Sequence, residues 1–240
     1  AAGSGVGKST LVREFCYSFM TQGENVGLLL LEETPKRSAQ GLVGLHMNKN
    51  ITIDPDAATP DEIADAYDDL LSKGGKFYLL DHFGSTAMQD ISNKITYMHK
   101  ALGCNIIILD HISLLVSGLT GKVTDERRLV DDIVHHLRTT IVQELGITLF
   151  MVSHLKRPNS EKGHEGGAKV RLSELRSSHS IAQLSDFCIG LQVDEDDPTS
   201  GIRELVVLKN RKTGECGYAG TLQYDRTTSR LIDADTFSAF

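Results

Sequence analysis

No run of 18 or more apolar residues occurs in the 240-residue chain, and its first residues lack the basic-then-apolar pattern of a secretory leader. Neither membrane insertion nor secretion is therefore expected of this stretch, and an intracellular setting is. Cysteine is sparse: Cys16, Cys104, Cys188 and Cys216 are far apart and never form a CxxC pair. That scarcity argues against a disulfide framework or a thiolate zinc site and for reduced, partly buried thiols. Internal repeats and low-complexity segments are also lacking. Excess positive charge is missing too, since the formal charge is -7, which argues against an all-over nucleic-acid coat but leaves room for a local basic face.

What the chain does have is 40% hydrophobic and 24% charged residues, enough for one continuous core. Residues 1–240 are expected to form a single domain. Only Ala1 and Ala2 precede the glycine-rich opening, whereas a phosphate loop normally follows a buried strand; the domain is therefore expected to be trimmed at its N-terminus.

The spacing predicts a helix from Lys8 to about Thr21, then a near-continuous apolar strand in "NVGLLLLEE" of the buried parallel type. Pro35 opens a second helix reaching Met47, and Thr59, Pro60 and Glu62 announce a third through a capping box. Strands follow at "KFYLLD", at "NIIILD" ending on Asp110, and at "GITLFMVSH", with a helix through Ile91, Ile95 and Met98. Leu129, Ile133, Leu137 and Ile141 stand at four-residue steps, predicting one long helix over 125–144. Residues 155–170 show no strong periodicity and read as a mobile surface loop. "FCIGLQV", "RELVVLKNR" and "YAGTLQYD" are short strands that extend the sheet or form hairpins at its edge. The fold class is α/β, a mostly parallel sheet flanked by helices with a strand-rich C-terminal part.

Gly3, Ser4, Gly5, Val6, Gly7, Lys8, Ser9 and Thr10 fit the phosphate-binding loop, with Ala2 where the strict pattern has its first glycine. The glycines let backbone amides turn inward, the next helix begins with free N–H groups, Lys8 adds a point charge, and Ser9 can meet Mg²⁺. Asp110, at the carboxyl end of a buried strand, can hold the magnesium shell. Hydrolysis also needs a carboxylate that orients water, and Glu32 and Glu33 both qualify; spacing does not choose between them. His154 ends a further strand on the same rim, where it can sense the γ-phosphate. The other histidines, His111 and the adjacent His135 and His136 among them, show no zinc-ligand spacing.

Six segments, "GSGVGKST", "VGLLLLEE", "LGCNIIILDHISLLVS", "MVSHLKRP", "LSELRSSHSIAQLSD" and "LKNRKTGECGYAGTLQYD", resemble in content and order the DnaB-type replicative helicases. The likeness is greatest to the helicase domain of bacteriophage bifunctional primase-helicases and more distant to the mitochondrial replicative helicase. The resemblance implies a RecA-like core in a hexameric or heptameric ring around single-stranded DNA, using Mg²⁺ with ATP or another NTP, dTTP among them. By the same resemblance Glu32 is the catalytic base, His154 the phosphate sensor, Arg211 a finger reaching the neighbouring subunit's nucleotide, and Arg176 a basic group coupling phosphate state to the DNA loop. Residues 155–171 correspond to the central-channel loop. There Lys156, Arg157, Lys162, Lys169 and Arg171 face only Glu161 and Glu165, a local excess of positive charge suited to backbone tracking without base stacking. Contact with a DNA polymerase or primase is implied as well, and the host cytoplasm is the expected location for a phage-encoded chain. Ser177, Ser178 and His179 depart from a more glycine-containing stretch of the family. The competing readings are a nucleotide-gated DNA-binding ring scaffold without efficient turnover, and a RecA-like recombinase or clock-type ATPase.

Overall fold

A computed structural model of the chain describes residues 1–80, 88–112, 126–156, 158, 162–175 and 179–234. Parallel strands β1 (Val26–Leu30), β2 (Phe77–Leu79), β3 (Ile106–Asp110) and β4 (Thr148–Met151) form one sheet in the order β2-β1-β3-β4. All five residues of β1 are buried because the strand lies between β2 and β3 and is covered on both faces. Side-chain alternation splits the interior in two. Leu28, Leu30 and Ile108 pack with Val12, Cys16 and Met20 of α1 (Lys8–Thr21) and with Leu42 of α2 (Pro35–Met47) and Leu70 of α3 (Pro60–Ser72). Leu29, Ile107 and Leu109 face the opposite way, against Ile91 and Ile95 of α4 (Met88–Leu102) and Val130 and Ile133 of α5 (Glu126–His136).

The helix starts follow their local chemistry. Thr34 accepts from the Arg37 amide ahead of Pro35, and Thr59 and Glu62 complete the reciprocal capping box of α3. The long helix expected over 125–144 is helical throughout its described residues, with one feature the spacing did not predict: α5 passes at His136 into a π-helical stretch, Leu137–Gln143. A stripe repeating every four residues drifts about 40° per step around a 3.6-residue helix. The wider turn absorbs that drift and keeps Leu137 and Ile141 buried together.

A short helix α6 (His179–Leu184) leads into an antiparallel meander of β5 (Phe187–Val193), β6 (Ile202–Asn210), β7 (Gly217–Asp225) and β8 (Arg230–Asp233). Ala2 joins the two sheets through parallel bridges to His154 and Leu191, and the Ala1 carbonyl accepts from the Leu191 amide at 2.9 Å. Beside this junction an apolar cavity of about 470 Å³ is lined by Phe150, Met151, Leu137, Ile189 and Leu191. Arg230 ties β8 to α1 by a double contact with Glu14 at 2.8 and 3.0 Å, and its guanidinium lies over the Tyr17 ring. No helix among the described residues is long and apolar enough to cross a membrane.

Candidate functional site

The glycine turn runs from the Ala2 bridge into the first turn of α1. Gly5 and Gly7 hold φ of 71° and 112°, the left-handed region where a side chain is strained, so the reversal into the helix depends on them. Val6 is buried, and its carbonyl accepts from Arg203 Nε at 2.9 Å, which fixes the turn to β6. Ser4 and Gly5 stay exposed at the tip, and Ser9 and Thr10 lie half-buried in the first helical turn, where amides have no intrahelical acceptor. Lys8 folds back so that Nζ donates to the Gly3 carbonyl at 2.7 Å and to that of Ala2 at 3.3 Å. Burial lowers the Lys8 pKa, and the carboxylates of Asp110 and Glu32 oppose that shift.

Those carboxylates come from the carboxyl ends of β3 and β1, with Leu30 and Asp110 in register. Asp110 is only 6% exposed; desolvation, and then the charge of Glu32, raises its pKa. The tertiary structure separates the two glutamates that the sequence leaves equivalent. Glu33 is committed to Arg13 at 2.5 Å and to the Ser38 hydroxyl at 3.1 Å, binding α1 to the start of α2. Glu32, 48% exposed, points instead to the strand-end rim, with Oε1 2.7 Å from His111 Nε2 and 4.0 Å from His154 Nε2. The two imidazoles meet edge to face at 4.3 Å between centroids. His111 is a group the sequence reading missed. Its only signal was its place directly after Asp110, and nothing local told which way its ring would turn.

A hard-oxygen donor set, the Ser9 hydroxyl and the Asp110 carboxylate, beside a lysine fits Mg²⁺ carried with a nucleotide. No imidazole belongs to that set.

The expected mobile loop is partly a folded segment and is corrected accordingly. A 3₁₀ turn, His164–Gly166, buries His164 to 4% exposure, and its ring contacts the carbonyls of Ala168 at 3.2 Å and Lys156 at 3.1 Å. Gly167, at φ 95°, packs against the Glu195 backbone, and the Val170 amide donates to Gln192 of β5. On this frame Lys156, Lys162, Lys169 and Arg171 are exposed, Lys169 lying 3.9 Å from Glu195. Arg157 and Arg176 lie outside the described residues. Arg211, at the turn after β6, contacts the Gln183 carbonyl and Asp186, the latter at 3.2 Å and shared with Arg138. Those contacts belong to the α6–β5 junction.

A four-stranded parallel sheet with strand-end carboxylates near a lysine-bearing glycine turn defines the class, a RecA-like α/β core. The chain belongs to the DnaB-like helicase C-terminal domain family, whose model matches residues 1–233. It is 34% identical over 234 residues to the "DNA helicase/primase" of Enterobacteria phage T3, covering 96% of this chain and 41% of that protein. It is 26% identical over 227 residues to the "Replicative DNA helicase DnaB" of Leifsonia xyli subsp. xyli, covering 88% and 46%. The chain thus spans less than half the length of these curated relatives. Among solved structures, a DnaB-like replicative helicase described with its primase interactions aligns with a TM-score of 0.77 at 19% identity, over 97% of this chain and 56% of that one. A second solved structure, described as an ATPase domain, also gives 0.77, at 20% identity and over 97% and 82% of the two chains. At those identities the likeness is one of fold.

Proposed function

We propose that residues 1–240 act as one motor domain of a replicative DNA helicase, hydrolysing ATP or another NTP, dTTP included, to move 5'-3' along single-stranded DNA. The observation that carries this reading is the rim on which Glu32, uncommitted to the ion pair that holds Glu33, shares the electrostatic environment of Lys8 and Asp110. In it, the amides of Gly3–Gly7 and the α1 N-terminus receive the phosphates, and Lys8 exchanges its carbonyl partners for β- and γ-phosphate oxygens. Ser9 and Asp110 would hold magnesium, which would supply positive charge to offset that of the phosphates. Glu32 orients the attacking water and takes its proton, while His154, at the end of β4, reads the presence of the γ-phosphate.

Arg211 serves the nucleotide of the next subunit in a hexameric or heptameric ring, so turnover depends on assembly. Its contact with Asp186, whose carboxylate also holds Arg138, fixes it to the π-helical turn after α5. Arg176 couples phosphate state to the neighbouring loop, where Lys156, Arg157, Lys162, Lys169 and Arg171 track the DNA backbone without reading bases. The names of the curated relatives, one a helicase/primase, support a replication role and contact with a primase or polymerase.

The test is nucleotide hydrolysis with and without single-stranded DNA, for the parent chain, Glu32→Gln and Arg211→Ala, with assembly followed by mass. DNA-stimulated turnover abolished by both substitutions supports the motor. Assembled rings on DNA that turn over no nucleotide overturn it.

A further inference from the structure

The Glu32–His111–His154 group contains more than a base for water. Its three ligand atoms, one carboxylate oxygen and two imidazole nitrogens, all lie within 4.8 Å of one another. Three ligands on one tetrahedral metal, each at about 2.0–2.1 Å, stand roughly 3.3 Å apart. The 2.7 Å and 4.0 Å separations from Glu32 to the two rings bracket that value. We propose that Glu32, His111 and His154 form a binding site for a borderline divalent transition metal, with Zn²⁺ as its probe, separate from the magnesium–nucleotide site.

The donor types make the separation. Imidazole nitrogen favours zinc, nickel, copper and iron, while magnesium is held by oxygen. Two of the ligands are already ordered. His111 is buried directly after β3, His154 is 24% exposed three residues after β4, and the two rings meet edge to face. Glu32, about half exposed, closes onto the metal by a side-chain adjustment and leaves a position open to water.

Binding requires a change of tautomer. Where His111 Nε2–H faces the Glu32 carboxylate, that proton moves to Nδ1 and the freed Nε2 lone pair takes the metal. Nδ1 is buried without a hydrogen-bond partner among the described residues, so no second group there orients the ring or raises its basicity. Such outer partners are worth about 10–100-fold in affinity, so binding in the micromolar rather than the nanomolar range is expected. A metal so held ties up Glu32 and antagonises hydrolysis; this consequence rests on the function proposed above, whereas the binding does not.

The experiment is equilibrium dialysis with Zn²⁺ in excess Mg²⁺ and no nucleotide, paired with Co²⁺ absorption spectra, on the full chain. Parent, His111→Asn, His154→Asn, Glu32→Gln and a control, His46→Asn, are compared. His46 is the control because it pairs with Asp69 at 2.7 Å elsewhere on the surface. A single equivalent retained by the parent, weakened about tenfold or more by each site substitution and unchanged by the control, is expected. Retention unaffected by His154→Asn overturns the proposal, as does no retention by a parent chain that is folded by circular dichroism and binds nucleotide. His154 is partly exposed, so its variant decides the matter even where the buried His111 variant fails to fold. Zinc binding by a chain that, freed of zinc and assembled on DNA, turns over no NTP would sink the motor reading and leave the metal site standing.

Discussion

A β-carbon on Gly3 would lie 2.5 Å from Cβ of His164, so the phosphate turn and the loop after β4 are packed against each other with no room for a methyl group. His164 is in turn bonded to the carbonyl of Lys156, the first cation of the proposed DNA loop. The two segments are therefore neighbours in contact. Gly3→Ala is expected to cost about 1–3 kcal/mol through overpacking, seen as weaker binding of a fluorescent nucleotide and a lowered unfolding midpoint. Because the clash is with Cβ itself, His164→Gly should restore part of the loss in the double variant and His164→Ala should not. Equal rescue by both would show that the contact is not the cause.

Asp110 is destabilised by its own burial. A carboxyl whose folded pKa is raised contributes stability below its unfolded pKa near 3.8 and loses it as pH rises through the folded value. At neutral pH the charge therefore costs stability, and Asp110→Asn should raise the unfolding midpoint by roughly 2–4 °C per kcal/mol relieved while abolishing turnover. A midpoint that falls would show that the Lys8 attraction outweighs desolvation.

Glu33 and Glu32 should separate cleanly in the same pair of assays. Glu33→Ala leaves Arg13 without its carboxylate, and Arg13 Nε already has no hydrogen-bond partner among the described residues. A loss of about 2 kcal/mol, discounted for partial exposure, is expected with turnover retained in the folded fraction. Glu32→Gln should do the reverse, holding stability within about 0.5 kcal/mol and removing turnover. Denaturant titration alongside hydrolysis rates checks both.

Burial pushes the Cys16 thiol up to about 12 and that of Cys104 to about 11, while Cys216 is exposed. Alkylation near pH 8 should label Cys216 in the native chain, and Cys16 and Cys104 only after unfolding. Raised thiols add stability that is complete below their ordinary pKa of 9.0 and lost as pH climbs toward 11–12, so the folded state should weaken through that window. Native labelling of Cys16 at the rate of Cys216 would contradict its burial.

Local chemistry made most elements legible in the sequence. Lys8–Thr21, Pro35–Met47 and Pro60–Ser72 are bounded by a glycine turn and two threonine caps, all signals a few residues long. β1 and β3 declared themselves as unbroken apolar runs, and the order of the motifs identified the family later matched over residues 1–233. The phosphate turn was readable because its glycines and lysine are adjacent in the chain.

Only tertiary structure decided which glutamate is held, because the deciding contacts come from Arg13 on α1 and Ser38 on α2. His111 joined the site through a ring turned toward residues 79 and 43 positions away, a separation no local spacing encodes. The loop after β4 gained its fold from Gly3 and β5 rather than from its own periodicity. Short-range backbone preferences act within a few residues and so fix helices and turns from sequence. Desolvation, ion pairing and ring contact act between segments that meet only after the chain has packed, and those forces chose the members of the site.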